Sequence, residues 1–155
     1  MPDIHWVGGS DEDREAVAAQ HEAYLVANSK FDWDHLMSVY SESSWATYFN
    51  LNGHTYDGRD HWIKLWKYYI TQQETGYWRP FDMKGVISGD LATVWCHRNT
   101  QSTWFGGDDP MSPRREGKPF ISRSTMIFCR QDGDWRCVHV HFSESRSEEP
   151  RPGGI

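Results

Sequence analysis

Apolar residues recur at helical spacing in the first half of the chain and alternate in strand fashion in the second. Ser10 followed by Asp13 makes a capping-box-like start, and Asp11, Glu12, Asp13 and Glu15 load acid onto the positive end of a helix. Val17, His21, Tyr24 and Leu25 then repeat at the helical period, which predicts a first helix over residues 11–29. After Asp32, Trp33, Leu36, Met37 and Tyr40 fall at i, i+3, i+4 and i+7, a second, shorter helix. Residues 45–50 read as a strand closed by an Asn52-Gly53 turn. Beyond Gly58 a third helix carries Trp62, Leu65, Trp66 and Tyr69 on one stripe.

Residues 81–87 and 91–104 read as strands about Gly89-Asp90, and 120–130 and 135–142 as a hairpin about Asp132-Gly133. Residues 106–118, rich in Gly, Pro and charge, read as a loop. Residues 144–155 lack apolar periodicity and are expected to be a flexible tail, which leaves one domain over 1–143. Helices first and a meander of strands second is the order of an α+β domain with helices on one sheet face.

Alternation assigns the faces of the strands. In the last strand Val138, Val140 and Phe142 share one face, and Trp135, Cys137, His139 and His141 the other. Its partner sets Met126 and Phe128 against Thr125, Ile127 and Cys129. An odd-length turn with a bulge at Gly133 would match the apolar sets. Both faces are then substantially apolar, so one meets the helices and the other needs a second cover, most simply another subunit.

Composition narrows the function classes. At 155 residues the chain is one domain long, and its nine tryptophans point to a thick core, an aromatic-lined cavity or a subunit interface. The net charge of -6, with no stripe of Lys or Arg, argues against a nucleic-acid partner. Cys96, Cys129 and Cys137 have no CxxC or zinc-like spacing and read as small hydrophobes in strands. The polar start resembles no signal peptide, and no apolar run approaches the ~18–20 residues of a membrane span. A cytoplasmic protein with no membrane partner is the expectation.

At this point several segments resemble a known family. The run Gly133-Asp134-Trp135-Arg136-Cys137-Val138-His139-Val140-His141-Phe142-Ser143 is similar to the "dGxWxxvHxHxS" ending of the NTF2-like superfamily. Its nearest echoes are the association domain of calcium/calmodulin-dependent kinase II and the SnoaL-like bacterial proteins. Asp32-Trp33 with Tyr40 resembles the "GDfesy" start of the family's second helix, and Gly58-Arg59-Asp60-His61-Trp62 the "GxdxxxxfF" start of its third. His97-Arg98-Asn99-Thr100-Gln101 resembles its "xRxTQ" strand. The resemblance implies a cystatin-like cone: a strongly curved, mixed but mainly antiparallel sheet wrapped around a long N-terminal helix, with an internal pocket. It also implies a homodimer through the convex sheet face.

The resemblance transfers no activity. In ketosteroid isomerase, another member, a tyrosine eight residues before the Asp of the second helix donates to the developing oxyanion; here that position is Tyr24. The family's catalytic aspartate would fall near Tyr48 to Asn50, yet residues 43–55 contain no carboxylate. Of three arginines lining the kinase domain's pocket, only Arg98 matches, and Met126 and Phe142 stand at the other two positions.

Arg98, Tyr24 and His21 form the first candidate set. Arg98 shares a face with Val94 and Cys96, and a guanidinium there requires an anionic or carbonyl partner. Arg98 would bind a substrate carboxylate or polarise a carbonyl, Tyr24 would donate to the same oxygen, and His21 would move a proton. The plainer reading pairs Arg98 with a core carboxylate such as Glu22 and leaves Tyr24 and His21 to pack. Tyr48, Asn50, Trp62, Trp66, Met126, Phe128, Val140 and Phe142 are the candidate substrate-binding residues. His97, His139 and His141 could together hold a metal, or serve only as structural residues on the dimer face. No metal and no cofactor is assigned. The expectation is a SnoaL-like enzyme that isomerises, cyclises, eliminates from or hydrates a mostly apolar small molecule bearing a carbonyl or carboxylate; a non-catalytic ligand-binding or assembly domain and a histidine-based metalloenzyme are the alternatives. Residues 106–118 could be a lid or a plain connection.

Overall fold

A computed structural model describes residues 3–107, 117–145 and 151–152. Its long helix α1 (Asp11–Lys30) starts at Ser10, whose Oγ accepts the Asp13 N–H at 3.1 Å, and ends at Phe31 in the left-handed region. The stripe Val17, His21, Tyr24 and Asn28 is buried along its inner side. α2 (Trp33–Val39) is capped by Asp32, whose carboxylate accepts the His35 N–H, and α3 (Gly58–Tyr69) buries Trp62, Leu65, Trp66 and Tyr69 as their spacing predicts.

The strands are β1 (Ile4–Gly8), β2 (Thr47–Phe49), β3 (Thr55–Asp57), β4 (Gln73–Ser88), β5 (Leu91–Trp104), β6 (Phe120–Gln131) and β7 (Asp134–Glu144). They form one sheet in the order β1-β4-β5-β6-β7-β2-β3. The long strands β4 to β7 pair antiparallel, while β1 joins β4 and β2 joins β7 in parallel. The helices lie against one face, so the architecture is the α+β, NTF2-like and cystatin-like fold.

Three differences from the sequence reading have local causes. Strands β1 and β3, of five and three residues, are too short to announce themselves. β4 begins at Gln73 rather than 81, because Gly76 and Pro80 interrupt its pattern. Gly76 lies at a bulge where a Cβ would collide with the Gln101 side chain. β1 covers β4 only from Met83 to Ile87, so Pro80 stands on a stretch with one free edge, where a missing N–H is tolerated. A second irregularity follows between Phe81 and Lys84, with Asp82 at φ 53°.

The third difference is a correction of face. Gln131 pairs with Asp134, so the β6–β7 turn has two residues, Asp132 (φ 52°) and Gly133 (φ 84°), as a primed hairpin turn requires. The extra residue sits further on: Ile127 faces His139, whereas Phe128 faces Cys137, and Val138 is the bulge. That single insertion brings Trp135 and Cys137 to the inner face with Val140 and Phe142, and all four are buried. His139 and His141 stay outside.

The inner face is filled by Val94, Cys96, Met126, Phe128 and Val140, and by rings from the helices. Tyr48 and Trp62 stack at 5.1 Å, and Tyr40 meets both edge-on. The outer face exposes Phe49, Phe81, Val86, Leu91 and Trp95. Cys96, Cys129 and Cys137 are free thiols. Among the described residues no helix is long and apolar enough to cross a membrane. Most of the candidate lid, residues 108–116, and most of the expected tail lie outside the described residues.

Candidate functional site around Arg98

Alternation along β5 turns Arg98 inward, and register sets it directly across from Ser122. Its Nε donates to Ser122 Oγ at 3.1 Å and its Nη1 to Tyr24 Oη at 2.9 Å. Ser122 and Thr100 share a further hydroxyl bond of 2.8 Å. The guanidinium carbon lies 4.5 Å from the centre of the Phe142 ring and 5.4 Å from that of Trp78. Arg98 is only 4% exposed, yet among the described residues no carboxylate lies within ion-pair distance. Glu22, its plain alternative partner, is exposed on the outer side of α1. Cation–π contacts and neutral hydroxyls offset part of the cost of burying this charge, but they do not neutralise it.

Tyr24 is fully buried behind the guanidinium. Burial pushes its hydroxyl up to about 12, against the pull of the Arg98 charge, so it stays protonated. His21 lies one turn earlier, its ring 6.3 Å from that of Tyr24. Burial first, and the Arg98 charge second, lower it to about 4, so this imidazole is neutral near pH 7. Its Nε2 has no hydrogen-bond partner among the described residues.

The three groups converge without sharing one cavity. Arg98 lines an inner cavity of about 20 Å³ together with the predicted residues Asn50, Trp66 and Phe142. His21 lines a separate groove of about 180 Å³ between α1 and β4. Trp78 forms a wall of both. Tyr48, Trp62, Met126, Phe128 and Val140, expected to touch substrate, sit in the core: each is 0% exposed and lines neither space. The aromatic side chains of α2, β2 and α3 fill the part of the cone where those residues point. Gln73, Trp78, Thr100 and Ser122 also line the inner cavity but were not anticipated. Thr100 was reachable, two residues beyond Arg98 on the same face; Ser122 required the strand register and Trp78 the unseen half of β4.

The histidines stand apart. His97 Nδ1 lies 3.4 Å from Asp82 and its ring stacks on Phe81, while His139 Nδ1 lies 2.7 Å from the Thr47 carbonyl oxygen. Both His139 and His141 meet Phe49 edge-on. Among the described residues no group of three or more His, Cys, Asp or Glu side chains is placed to hold a metal. Two larger polar clefts, of about 430 and 480 Å³, flank Arg59, whose charge is already met by Glu42 at 3.3 Å.

Solved structures share this architecture at low identity. An NTF2-like protein of unknown function from Pseudomonas putida is 21% identical, with a TM-score of 0.69 over 92% of this chain and 93% of its own. A proposed dehydratase of the NTF2-like family from Streptomyces avermitilis is 18% identical, with a TM-score of 0.71 over 90% of this chain and 100% of its own. A ketosteroid isomerase-like protein from Erwinia carotovora is 15% identical, at 0.70 over 89% and 100%. No curated protein matches. The family profile described as "SnoaL-like domain" matches residues 17–146, most of the chain, and the protein belongs to that family.

Proposed function

We propose that this chain is a small-molecule enzyme whose substrate is mostly apolar and carries one carbonyl or carboxylate. The observation that carries the reading is Arg98, a buried cation at a cavity wall with hydroxyl partners but no carboxylate among the described residues. A substrate oxygen would supply the missing anion or dipole, in a site dry enough for the charge to act strongly. Tyr24 orients the guanidinium from behind. Isomerisation, cyclisation, elimination and hydration all develop charge on such an oxygen, and two structural relatives bear the names of a proposed dehydratase and a ketosteroid isomerase-like protein. Among the described residues no carboxylate lines the cavity, which argues against a proton shuttle built on Asp or Glu from them. A space of about 20 Å³ holds little more than one water, so substrate binding requires the aromatic wall of Trp66, Trp78 and Phe142 to part.

The small cavity also favours a second reading, a non-catalytic ligand-binding or assembly domain. The exposed apolar outer face around Trp95 and Leu91 supports a homodimer in either case. Native mass spectrometry separates the readings: a retained small molecule, lost in Arg98→Met, supports the first. Oligomers without ligand, together with no turnover of carbonyl or carboxylate compounds, support the second.

A further inference from the structure

The groove beside α1 has a chemistry of its own. It lies between the helix face carrying Ala18, His21 and Leu25 and the strand residues Trp78, Pro80 and Met83. Its volume of about 180 Å³ compares with the ~150 Å³ of an apolar cavity that accepts a benzene ring. It therefore suits one ring with a small substituent. Trp78 closes its inner end, in a part of β4 bracketed by two register irregularities and without a β1 partner. The flat indole offers a stacking surface there.

The polar features of the groove select among such rings. His21 is 1% exposed, and its Nε2 has no partner among the described residues. A buried imidazole nitrogen left unpaired costs free energy that one ligand hydrogen bond would recover. Glu22, exposed at the groove's solvent side, adds a negative charge that disfavours an anion there. The Arg98 charge is felt at His21, where it helps keep the imidazole neutral, and it opposes a cation at the inner end. A neutral ligand satisfies both fields.

We propose that this groove is a binding site for a neutral single-ring aromatic alcohol, the hydroxyl on His21 Nε2 and the ring against Leu25, Met83 and Trp78. The proposal is independent of the Arg98 reading, since Trp78 separates the two spaces.

The probe is 4-methylphenol, with toluene and 4-methylbenzoate as comparators, followed by amide and imidazole NMR shifts and by calorimetry. Saturable binding of the phenol, with shifts at Ala18, Leu25 and the His21 nitrogens, is expected, toluene and the benzoate binding more weakly. His21→Phe keeps the ring and removes the hydrogen bond, and should weaken 4-methylphenol about fivefold while leaving toluene unchanged. Val26→Trp, at the exposed lip, should block both without touching the core. Three results would overturn the proposal: no saturable binding at millimolar phenol, shifts centred on Asn50 and Thr100, or phenol affinity unchanged in both folded variants.

Discussion

Replacing Arg98 with methionine tests whether the buried charge serves a ligand or the fold. The substitution keeps an unbranched chain of similar length and removes the guanidinium. Three effects bear on stability. Removing a buried, unneutralised ion is worth roughly 1–4 kcal/mol by analogy with buried ion pairs replaced by apolar residues. Orphaning the Tyr24 hydroxyl costs roughly 1–3 kcal/mol, while Ser122 keeps its bond to Thr100. Losing the cation–π contacts to Phe142 and Trp78 costs roughly 0.5–2 kcal/mol. These nearly cancel, so the net change should stay within about 2 kcal/mol, or a few degrees in Tm for a chain of this size. Binding should respond far more. Breaking a buried, charged hydrogen-bond pair costs at least about 2 kcal/mol, roughly thirtyfold in affinity. At a concentration of 100 times Kd, a carboxylate ligand should stabilise the parent protein by about 2.7 kcal/mol, and the variant by under about 1 kcal/mol. Thermal melts with a panel of aromatic and aliphatic carboxylates and ketones measure both quantities. An equal ligand shift in the two proteins, or unfolding of the variant, would refute the assignment. Adding Tyr24→Phe should recover about 1 kcal/mol by removing the orphaned hydroxyl.

Because His21 is lowered to about 4 from an ordinary 6.5, the unfolded chain binds its proton first. Stability should therefore fall as pH drops from about 6.5 to about 4, by about 3 kcal/mol in all, and the His21→Phe variant should lose that component in urea titrations. A parallel pH profile in the variant would refute the burial argument. Asn28 is 0% exposed with neither amide atom partnered among the described residues, so Asn28→Leu should raise stability by about 1 kcal/mol; a loss would mean that the amide has a partner. Trp95→Lys, on the outer face, should shift sedimentation from dimer to monomer, and an unchanged sedimentation coefficient would refute that interface.

The three helices, three of the four long strands and the second half of β4 were legible because periodicity reports burial one element at a time. Arg98 was legible for the same reason: alternation with Val94 and Cys96 points it inward whatever its neighbours are. What alternation could not locate was the inserted residue. A bulge at Val138 and a bulge at Gly133 match the same pattern of apolar residues, and only pairing with β6 distinguishes them. The choice moved Trp135 and Cys137 across the sheet.

The division of the site has the same origin. Sequence order put His21, Tyr24 and Arg98 within reach of one another, and the fold does bring them together. It also sets Trp78 as a wall between the inner cavity and the His21 groove, from a stretch of β4 whose glycine and proline hide its strand character. The local sequence therefore determined which polar groups enter the cone. Tertiary packing decided which share a cavity, because a cavity is the space left by side chains from elements distant in the chain, and no single element's pattern records that space.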